Sequence, residues 1–184
     1  MPRLVHLIRH GQSTFNAIQD VTGKDPMMFD APLTPLGHEQ AAARGKELAG
    51  NHYDLVITSP LTRAIQTARG IFGHGKPLVV DPLHREWVNW SCNIGRPPAE
   101  LSKDFPDLDL NHLEGDWWHV DGPVNENGIV CEPHSSLVAR VAAFQAMLAS
   151  HKEKRVAVVG HGDFFSQIVG YAMRNCECIE WVRR

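Results

Sequence analysis

Residues 4–14 read LVHLIRHGQST, and the architecture of the whole chain follows from this stretch. Its first five residues, four of them apolar, predict a short buried β-strand. Arg9, His10 and Gly11 stand where that strand should end, and a polar turn then leads into a helix. Arginine supplies a forked donor, glycine lets backbone N–H groups approach, and the start of a helix adds positive potential. The stretch therefore predicts an anion site at the carboxyl end of the first strand.

Length and charge limit the classes of protein to which the chain can belong. Its 184 residues predict one domain over residues 1–184, large enough to bury a sizeable core. A net charge of −3 does not favour nucleic acid or an anionic membrane as a partner. No apolar run reaches membrane-span length, and the N-terminal residues do not resemble a signal peptide. We therefore expect a protein that binds neither nucleic acid nor membrane.

The four cysteines, Cys92, Cys131, Cys176 and Cys178, indicate a reducing compartment. Cys176 and Cys178 are too close in sequence for a standard disulfide, and no Cys-x-x-Cys pair typical of a zinc site is present. We expect these thiols to be buried or incidental. The cysteine pattern therefore predicts a cytoplasmic location.

Apolar runs of strand length alternate with polar turns and helical patterns along the chain. Strands are predicted at residues 4–8, 54–58, 77–80 and 155–159, with a closing edge strand at 175–181. This alternation favours an α/β fold, namely a single-domain, mostly parallel sheet flanked by helices on both faces. In such sheets the ligand site lies beyond the carboxyl ends of the strands.

Capping residues, prolines and glycines predict where the helices begin and end. Thr34 and the proline after it predict a helix that runs to about residue 48. Ser59 predicts the same start for a second helix, and Ser135 or Ser136 for a long third one. A further helix is expected after residue 161, up to about residue 173. The stretch from residue 20 to residue 31 is expected to be a loop.

The segment at about residues 87–131 differs in character from the rest of the chain. It holds four of the five tryptophans and shows little periodicity, so we interpret it as a variable, inserted lid with a short helix near residues 98–105. Its tryptophans either form a minor core or supply a pocket wall. Arg96, Lys103 and His119 are candidates for contact with a second anionic group of a substrate. We expect this insert to cover the site and to set its specificity.

Five residues suited to chemistry stand where the predicted strands end. Arg9 and His10 follow the first strand, Arg63 comes just after the second, Glu86 after the third and His161 after the fourth. Since the carboxyl ends of parallel strands meet at one edge of a sheet, we expect these side chains to converge. Their convergence is stronger evidence for a site than the first Arg-His-Gly triplet alone.

The motifs at these strand ends resemble those of the histidine phosphatase superfamily, in its phosphoglycerate-mutase-like branch with the Arg-His-Gly motif. Residues 9–13, with Asn16, look like the signature of that family. Residues 59–68 are similar to the segment that carries its second phosphate-binding arginine. Residues 83–86 look like the segment with its acid, and residues 159–162 like that with its second histidine. The resemblance implies a phosphoglycerate-mutase-like fold.

The resemblance also implies a mechanism in which His10 attacks phosphorus and becomes a phosphohistidine. Arg9, Arg63 and His161 would surround the phosphoryl group and balance its charge, so neither a metal nor another cofactor is expected. Glu86 would protonate the leaving oxygen and then activate water. Its pKa must then lie above the ordinary glutamate value of about 4.3, which predicts a mildly acidic to neutral pH optimum.

Four more residues are expected to contact the substrate, namely Gly11, Ser13, Asn16 and Gly162. For Ser13 and Asn16 the alternative is that they cap the helix that follows them. The substrate itself is expected to be a small phosphorylated molecule.

The predicted function is hydrolysis by a phosphomonoesterase of the histidine acid phosphatase type. Residues 86–95 differ from the run that follows the acid in the cofactor-dependent mutases of the family. Phosphoglycerate-mutase-type phosphoryl transfer is kept as an alternative. A second alternative is a non-catalytic module that binds phosphate or a phosphoprotein. The oligomeric state is left open.

A chelator distinguishes this hypothesis from a metallohydrolase, which the 11 histidines would otherwise suggest. The chain has no His-Glu-x-x-His motif or paired-ligand spacing. We expect phosphate release from an aryl phosphate in mildly acidic to neutral buffer to be unchanged by excess EDTA. Loss of that activity on chelation, with recovery on addition of a divalent cation, would contradict this expectation.

Overall fold

A five-stranded sheet forms the centre of the protein in a computed structural model, which describes residues 4–181. The strands are β1 (Leu4–Arg9), β2 (Leu55–Thr58), β3 (Val79–Val80), β4 (Arg155–Gly160) and β5 (Cys178–Trp181). Their order is β3-β2-β4-β1-β5, with β1 to β4 parallel and β5 antiparallel to β1. The predicted mostly parallel sheet is confirmed. The first and last three residues of the predicted domain lie outside the described residues.

Helices flank the sheet, as predicted. They are α1 (Thr14–Thr22), α2 (Pro35–Leu48), α3 (Thr62–Phe72), α4 (Pro98–Asp104), α5 (His134–Ser150) and α6 (Gly162–Val169). Two short 3₁₀ helices, Pro82–His84 and Ser91–Asn93, lie between β3 and α4. Within residues 4–181, no helix combines the length and the apolar character needed to cross a bilayer.

Alternation of side chains along the strands builds a hydrophobic core on each face of the sheet. In β1, Val5 and Leu7 belong to the cluster that contains residues of α5 and α6, whereas Ile8 belongs to the cluster with α3. In β2, Val56 and Ile57 divide between the same two clusters. Successive residues of a strand point to opposite faces, so strands buried on both sides read as continuous apolar runs.

The start of α3 differs from the prediction. The helix begins at Thr62, and the Ser59 hydroxyl accepts a hydrogen bond from the N–H of Leu61 (3.3 Å) in the turn before it. The first helical N–H, that of Thr62, donates to Asp30 Oδ1 at 2.7 Å. The cap of α3 therefore comes from a residue 32 positions earlier in the chain.

Three other helix boundaries also depart from expectation. α5 begins at His134, directly after Pro133, so neither Ser135 nor Ser136 caps it. α1 continues three residues into the predicted loop and ends where Gly23 takes the left-handed conformation (φ 68°). α6 ends in the same way at Gly170 (φ 82°), before the predicted residue 173. Glycine adopts positive φ without steric cost, which makes it an effective helix stop.

The insert at residues 87–131 packs apolar side chains into the core on the α3 face. Leu101, Leu113 and Trp117 are buried in that cluster. A Cβ atom at Gly95 would lie 2.2 Å from the Trp117 ring, so the ring occupies space that only glycine leaves open. Trp90 instead lines the pocket described below. Core packing thus applies to Trp117 and a pocket wall to Trp90. The role of the insert as a specificity lid stays a prediction.

The four cysteines are free thiols, of which Cys92 and Cys176 are buried. This agrees with their expected state as buried or incidental thiols. A cytoplasmic location stays a prediction.

Replacement of Phe144 by alanine is expected to destabilise the fold strongly. Phe144 lies on α5, is fully buried and contacts the rings of His84 and Phe164. Loss of a buried phenylalanine leaves a cavity and costs about 3–5 kcal/mol of unfolding free energy, measurable by urea denaturation.

Val138→Ala is the matched control, because Val138 lies on the same helix with 48% of its surface exposed. Its effect should stay within about 0.5 kcal/mol. Equal destabilisation by the two substitutions would contradict the assignment of this face of α5 to the core.

Candidate active site

The five predicted catalytic residues converge at the carboxyl ends of the parallel strands. Arg9 ends β1 and His10 follows it, while His161 follows β4. Arg63 is the second residue of α3, just beyond β2, and Glu86 follows the 3₁₀ helix after β3. A pocket of about 250 Å³ opens at this edge of the sheet, and all of these residues except His161 line it.

The His10 ring is held in one orientation and one tautomer. Its Nδ1 lies 2.7 Å from the carbonyl oxygen of Gly11. Because a carbonyl oxygen only accepts hydrogen bonds, Nδ1 carries the proton and Nε2 keeps its lone pair. Main-chain bonds from His10 N to Gly160 O (2.9 Å) and from Cys176 N to His10 O (3.2 Å) fix the residue between its neighbours.

The environment of His10 keeps its ring neutral. Burial lowers the pKa of His10 well below 6.5, and the positive charges of Arg63 and Arg9 lower it further. A neutral imidazole with a free Nε2 is the form that can attack phosphorus. His10 therefore has the protonation state that a nucleophile needs.

Arg63 is buried beside His10 and is positioned by the insert. Its Nε donates to His10 Nε2 at 3.2 Å. Its two terminal nitrogens donate to the carbonyl oxygen of Cys92 (2.6 Å) and to Oδ1 of Asn93 (2.9 Å). These partners are neutral, so the guanidinium keeps its positive charge for an anion in the pocket.

Arg9 lines the same pocket as His10 and Arg63. One terminal nitrogen donates to the carbonyl oxygen of Met173 at 2.5 Å, and its Nε is buried without a partner among the described residues. A Cβ atom at Gly162 would lie 3.2 Å from that Nε, so glycine allows the guanidinium to lie against the start of α6. Among residues 4–181 neither Arg9 nor Arg63 forms an ion pair.

His161 packs against the nucleophile. It is fully buried, and its ring centroid lies 5.2 Å from that of His10. Neither ring nitrogen has a hydrogen-bond partner in the described part of the chain. Burial and the charge of Arg63 lower the pKa of His161 well below 6.5. Buried polar atoms normally have partners, so the ring of His161 keeps hydrogen-bonding capacity that the described residues do not use.

Glu86 is a buried carboxyl group at the N-terminus of α6. Its oxygens accept from the N–H groups of Trp87 (2.9 Å), Phe164 (2.9 Å) and Asp163 (3.1 Å). Burial, followed by the negative charge of Asp163, raises the pKa of Glu86 to about 7. The raised pKa agrees with the requirement set for a residue that donates and then accepts a proton near neutral pH.

Ser13 and Asn16 form a capping box at the start of α1. The Ser13 hydroxyl accepts from the N–H of Asn16 at 3.1 Å, and Asn16 Oδ1 accepts from the N–H of Ser13 at 3.2 Å. Both residues also line the pocket. Helix capping, the alternative considered for this pair, is therefore present alongside a position from which they can reach a substrate.

The N–H of Gly11 is already used within the protein, because it donates to the Thr67 hydroxyl at 3.0 Å. A Cβ atom at Gly11 would lie 2.5 Å from the carbonyl oxygen of Gly37. This glycine therefore brings the turn after β1 close to α2. Its contribution in this structure is close backbone packing.

Arg96 does not supply the second anion contact that the sequence suggested. Its guanidinium pairs with Asp30 (2.8 Å) and with Asp104 (2.8 Å), and it also donates to the Thr62 hydroxyl. Neither Arg96, Lys103 nor His119 lines the pocket. Of these three candidates, Arg96 is excluded as a contact for a second anion, because two carboxylates already engage it.

Sequence reasoning missed the residues that position the predicted catalytic groups. Asn93 holds Arg63, and its own amide nitrogen donates to the carbonyl oxygen of Trp87 at 2.8 Å. Arg140 donates to the carbonyl oxygens of Leu83 and Arg85, which orders the segment before Glu86. These contacts join distant parts of the chain, and no local pattern could have predicted them.

No group of three or more histidine, cysteine, aspartate or glutamate side chains in residues 4–181 is arranged to hold a metal ion. The positive charge at the pocket comes from Arg9 and Arg63.

Comparison with known proteins identifies the relatives of this chain. The family model of branch 1 of the histidine phosphatase superfamily matches residues 5–181. A 2,3-bisphosphoglycerate-dependent phosphoglycerate mutase from Beijerinckia indica is 44% identical over 174 residues, which cover 92% of this chain and 80% of that protein.

Two further comparisons involve phosphatases. Fructose-2,6-bisphosphatase TIGAR B of Danio rerio is 39% identical over 100 residues, 52% of this chain and only 37% of that relative. The solved structure of a candidate α-ribazole-5'-phosphate phosphatase from Escherichia coli K-12 superposes with a TM-score of 0.64 at 25% identity. That match covers 92% of this chain and 79% of the other, and it agrees with the observed fold.

The carboxyl group of Glu86 is expected to titrate near pH 7 in the free protein, measured by ¹³C NMR of labelled glutamate. The substitution Asp163→Asn should lower this pKa, because it removes the negative charge that favours the protonated form. Glu86→Gln assigns the signal by its disappearance. Titration of Glu86 in the ordinary glutamate range would show that its burial is not effective in solution.

Proposed function

This chain belongs to the histidine phosphatase superfamily, and from that premise we propose that it hydrolyses phosphate monoesters through a phosphohistidine on His10. Its relatives include phosphatases and phosphoglycerate mutases, so phosphoryl chemistry on small phosphorylated molecules is common to them. The proposed substrate is likewise a small phosphomonoester.

The observation that carries the proposal is the orientation of the His10 ring. Nδ1–H is bonded to Gly11 O, and Nε2 faces Arg63 at the inner end of the pocket. A phosphate oxygen that accepts the hydrogen bond from Arg63 Nε would free the Nε2 atom of His10. The phosphorus atom would then lie close to the lone pair of Nε2. Oriented reactants and fixed donors lower the barrier to phosphoryl transfer without further chemistry from the protein.

The first step forms the bond between Nε2 of His10 and phosphorus and breaks the bond between phosphorus and the ester oxygen. Glu86, protonated, gives its proton to that oxygen, and the alcohol leaves. Arg9 and Arg63 balance the charge on the phosphoryl oxygens, and His161 donates its ring N–H to one of them. The charge is thus balanced by side chains, with no step assigned to a metal.

The second step hydrolyses the phosphohistidine. Glu86, now ionised, takes a proton from water as the water oxygen attacks phosphorus, and the bond to Nε2 of His10 breaks. Orthophosphate leaves, and Glu86 is protonated again for the next cycle. A pKa of about 7 suits both steps, since each form of the carboxyl group is then accessible near neutral pH.

Phosphoglycerate-mutase activity is the second candidate, favoured by the 44% identity to a mutase. A mutase must bind a substrate with a second anionic group and keep the phosphohistidine away from water. The arginines that line the pocket, Arg9 and Arg63, both belong to the phosphate site, and Asp20 and Asp163 line the remainder. This distribution of charge supports hydrolysis over transfer.

A non-catalytic phosphate-binding module is supported less well. Binding alone requires neither a histidine in a fixed neutral tautomer nor a carboxyl group whose pKa is raised to about 7. Both features are what turnover requires.

Rapid quenching of a reaction with an alkyl phosphate should trap phosphorus covalently on His10, stable in base and labile in acid. His10→Ala should abolish both the adduct and phosphate release. Glu86→Gln should reduce turnover of the alkyl ester by about 10²–10⁴-fold, because its poor leaving group depends on a proton donor.

An aryl phosphate is the control for the Glu86 variant, since its leaving group needs less protonation and its turnover should fall less. ³¹P NMR with 3-phosphoglycerate tests the mutase alternative by the appearance of the 2-phospho isomer. Phosphate release from the His10→Ala variant at the rate of the parent would refute the proposed mechanism.

A further inference from the structure

We propose that the mouth of the pocket is a subsite for a cation, and that the substrates are phosphate esters of small alcohols that bear an ammonium group and no second anion. This inference rests on the proposed function, because it concerns the alcohol that leaves when the phosphate is transferred. It follows from the charges and the aromatic ring that remain once the phosphate site is assigned.

All of the positively charged side chains in the described pocket lining are assigned to the phosphate. Among the described residues that line the pocket, the arginines are Arg9 and Arg63, and lysine is absent. His10 also lines it but is neutral, since burial lowers its pKa. Arg174, next to the lining residue Met173, has a side chain that is 91% exposed and lies 3.9 Å from Glu177. No cation in the described lining remains for a second anion.

The lining of the pocket carries negative charge from two separate elements, on side chains that are exposed to solvent. Asn16, Gln19 and Asp20 are spaced to share one face of α1, and all three line the pocket. Asp163, from the first turn of α6, lines it as well. Within residues 4–181 neither Asp20 nor Asp163 forms an ion pair. Asp163 shares a hydrogen bond with Asn89 and lies within reach of the charges of Arg9 and Arg63. Both aspartates are exposed, so their carboxylates are accessible to a ligand.

Trp90 adds an aromatic surface to the same pocket. It comes from the insert and lines the pocket, and its ring meets Phe15 edge to face with centroids 5.9 Å apart. The face of an indole ring attracts ammonium groups, most strongly where water is excluded. A tryptophan with two carboxylates therefore favours a cation and repels an anion at the position of the leaving alcohol.

The size of the pocket limits the alcohol. A volume of about 250 Å³ holds a phosphate group and a short chain, below the range of about 300–1,000 Å³ typical of sites for larger ligands. The alcohol is therefore a small one, such as an amino alcohol of two or three carbons.

Three esters of matched length test the inference, namely 2-aminoethyl, 2-hydroxyethyl and carboxymethyl phosphate. We expect kcat/KM and calorimetric affinity for the parent protein to fall in that order. The difference between the amine and the carboxylate should be at least about tenfold at low salt, and smaller at high salt because the carboxylates are screened. Carboxymethyl phosphate used or bound as well as the amine would overturn the inference.

Asp20→Asn should reduce the preference for the amine several-fold, and Val21→Lys is its matched control. Both substitutions change the net charge by about one positive unit on α1, but Val21 is 84% exposed and does not line the pocket. The control should keep the preference of the parent. An unchanged preference in Asp20→Asn, or an equal loss in Val21→Lys, would overturn the cation subsite.

The affinity measurements separate this inference from the proposed function. If the amine ester binds best but no ester is hydrolysed and no phosphohistidine forms, the cation subsite stands and the proposed hydrolysis is wrong. If all three esters are hydrolysed without the expected order, the hydrolysis stands and the subsite is wrong.

Discussion

The buried charge of Arg63, which forms no ion pair within residues 4–181, is the constraint on which the rest of the site depends. Its guanidinium is buried and is held by neutral acceptors, the carbonyl of Cys92 and the amide of Asn93. A buried charge costs several kcal/mol of desolvation, which these bonds offset only in part, so an anion that enters gains a strong partner. Burial lowers the pKa of His10 and of His161, and the charge of Arg63 lowers both further. One residue thus contributes to anion affinity and to the neutral state of both histidines.

The pKa of Glu86 results from effects of opposite sign. Three main-chain N–H groups, two of them from the first turn of α6, favour its ionised form, while burial and Asp163 favour the protonated form. The opposing effects leave the pKa of Glu86 at about 7 instead of at an extreme. The carboxyl group keeps its place because Arg140 binds the backbone just before it and pairs with the buried Glu132 at 2.7 Å.

Features that depend on local interactions could be predicted from the sequence, whereas features that depend on contacts between distant residues could not. The strand before His10 and the convergence of Arg9, Arg63 and His161 were predictable, because strand periodicity and the geometry of parallel sheets are local or general rules. The start of α3 was not, since its first N–H is capped by Asp30 from a distant loop and not by Ser59. Contacts between elements far apart in sequence, such as those that hold Arg63 and Glu86, leave no signature in a single chain.

The hydrogen bonds between the insert and Arg63 have a consequence for how such a protein can evolve. Of its two contacts, one is the main-chain carbonyl of residue 92, which is present whatever amino acid stands there, and the other is the side chain of Asn93. Mutations along the insert can therefore alter the wall of the pocket while a single amide preserves the geometry of the reacting groups. The position of Arg63 is in this way largely independent of the other side chains of the insert.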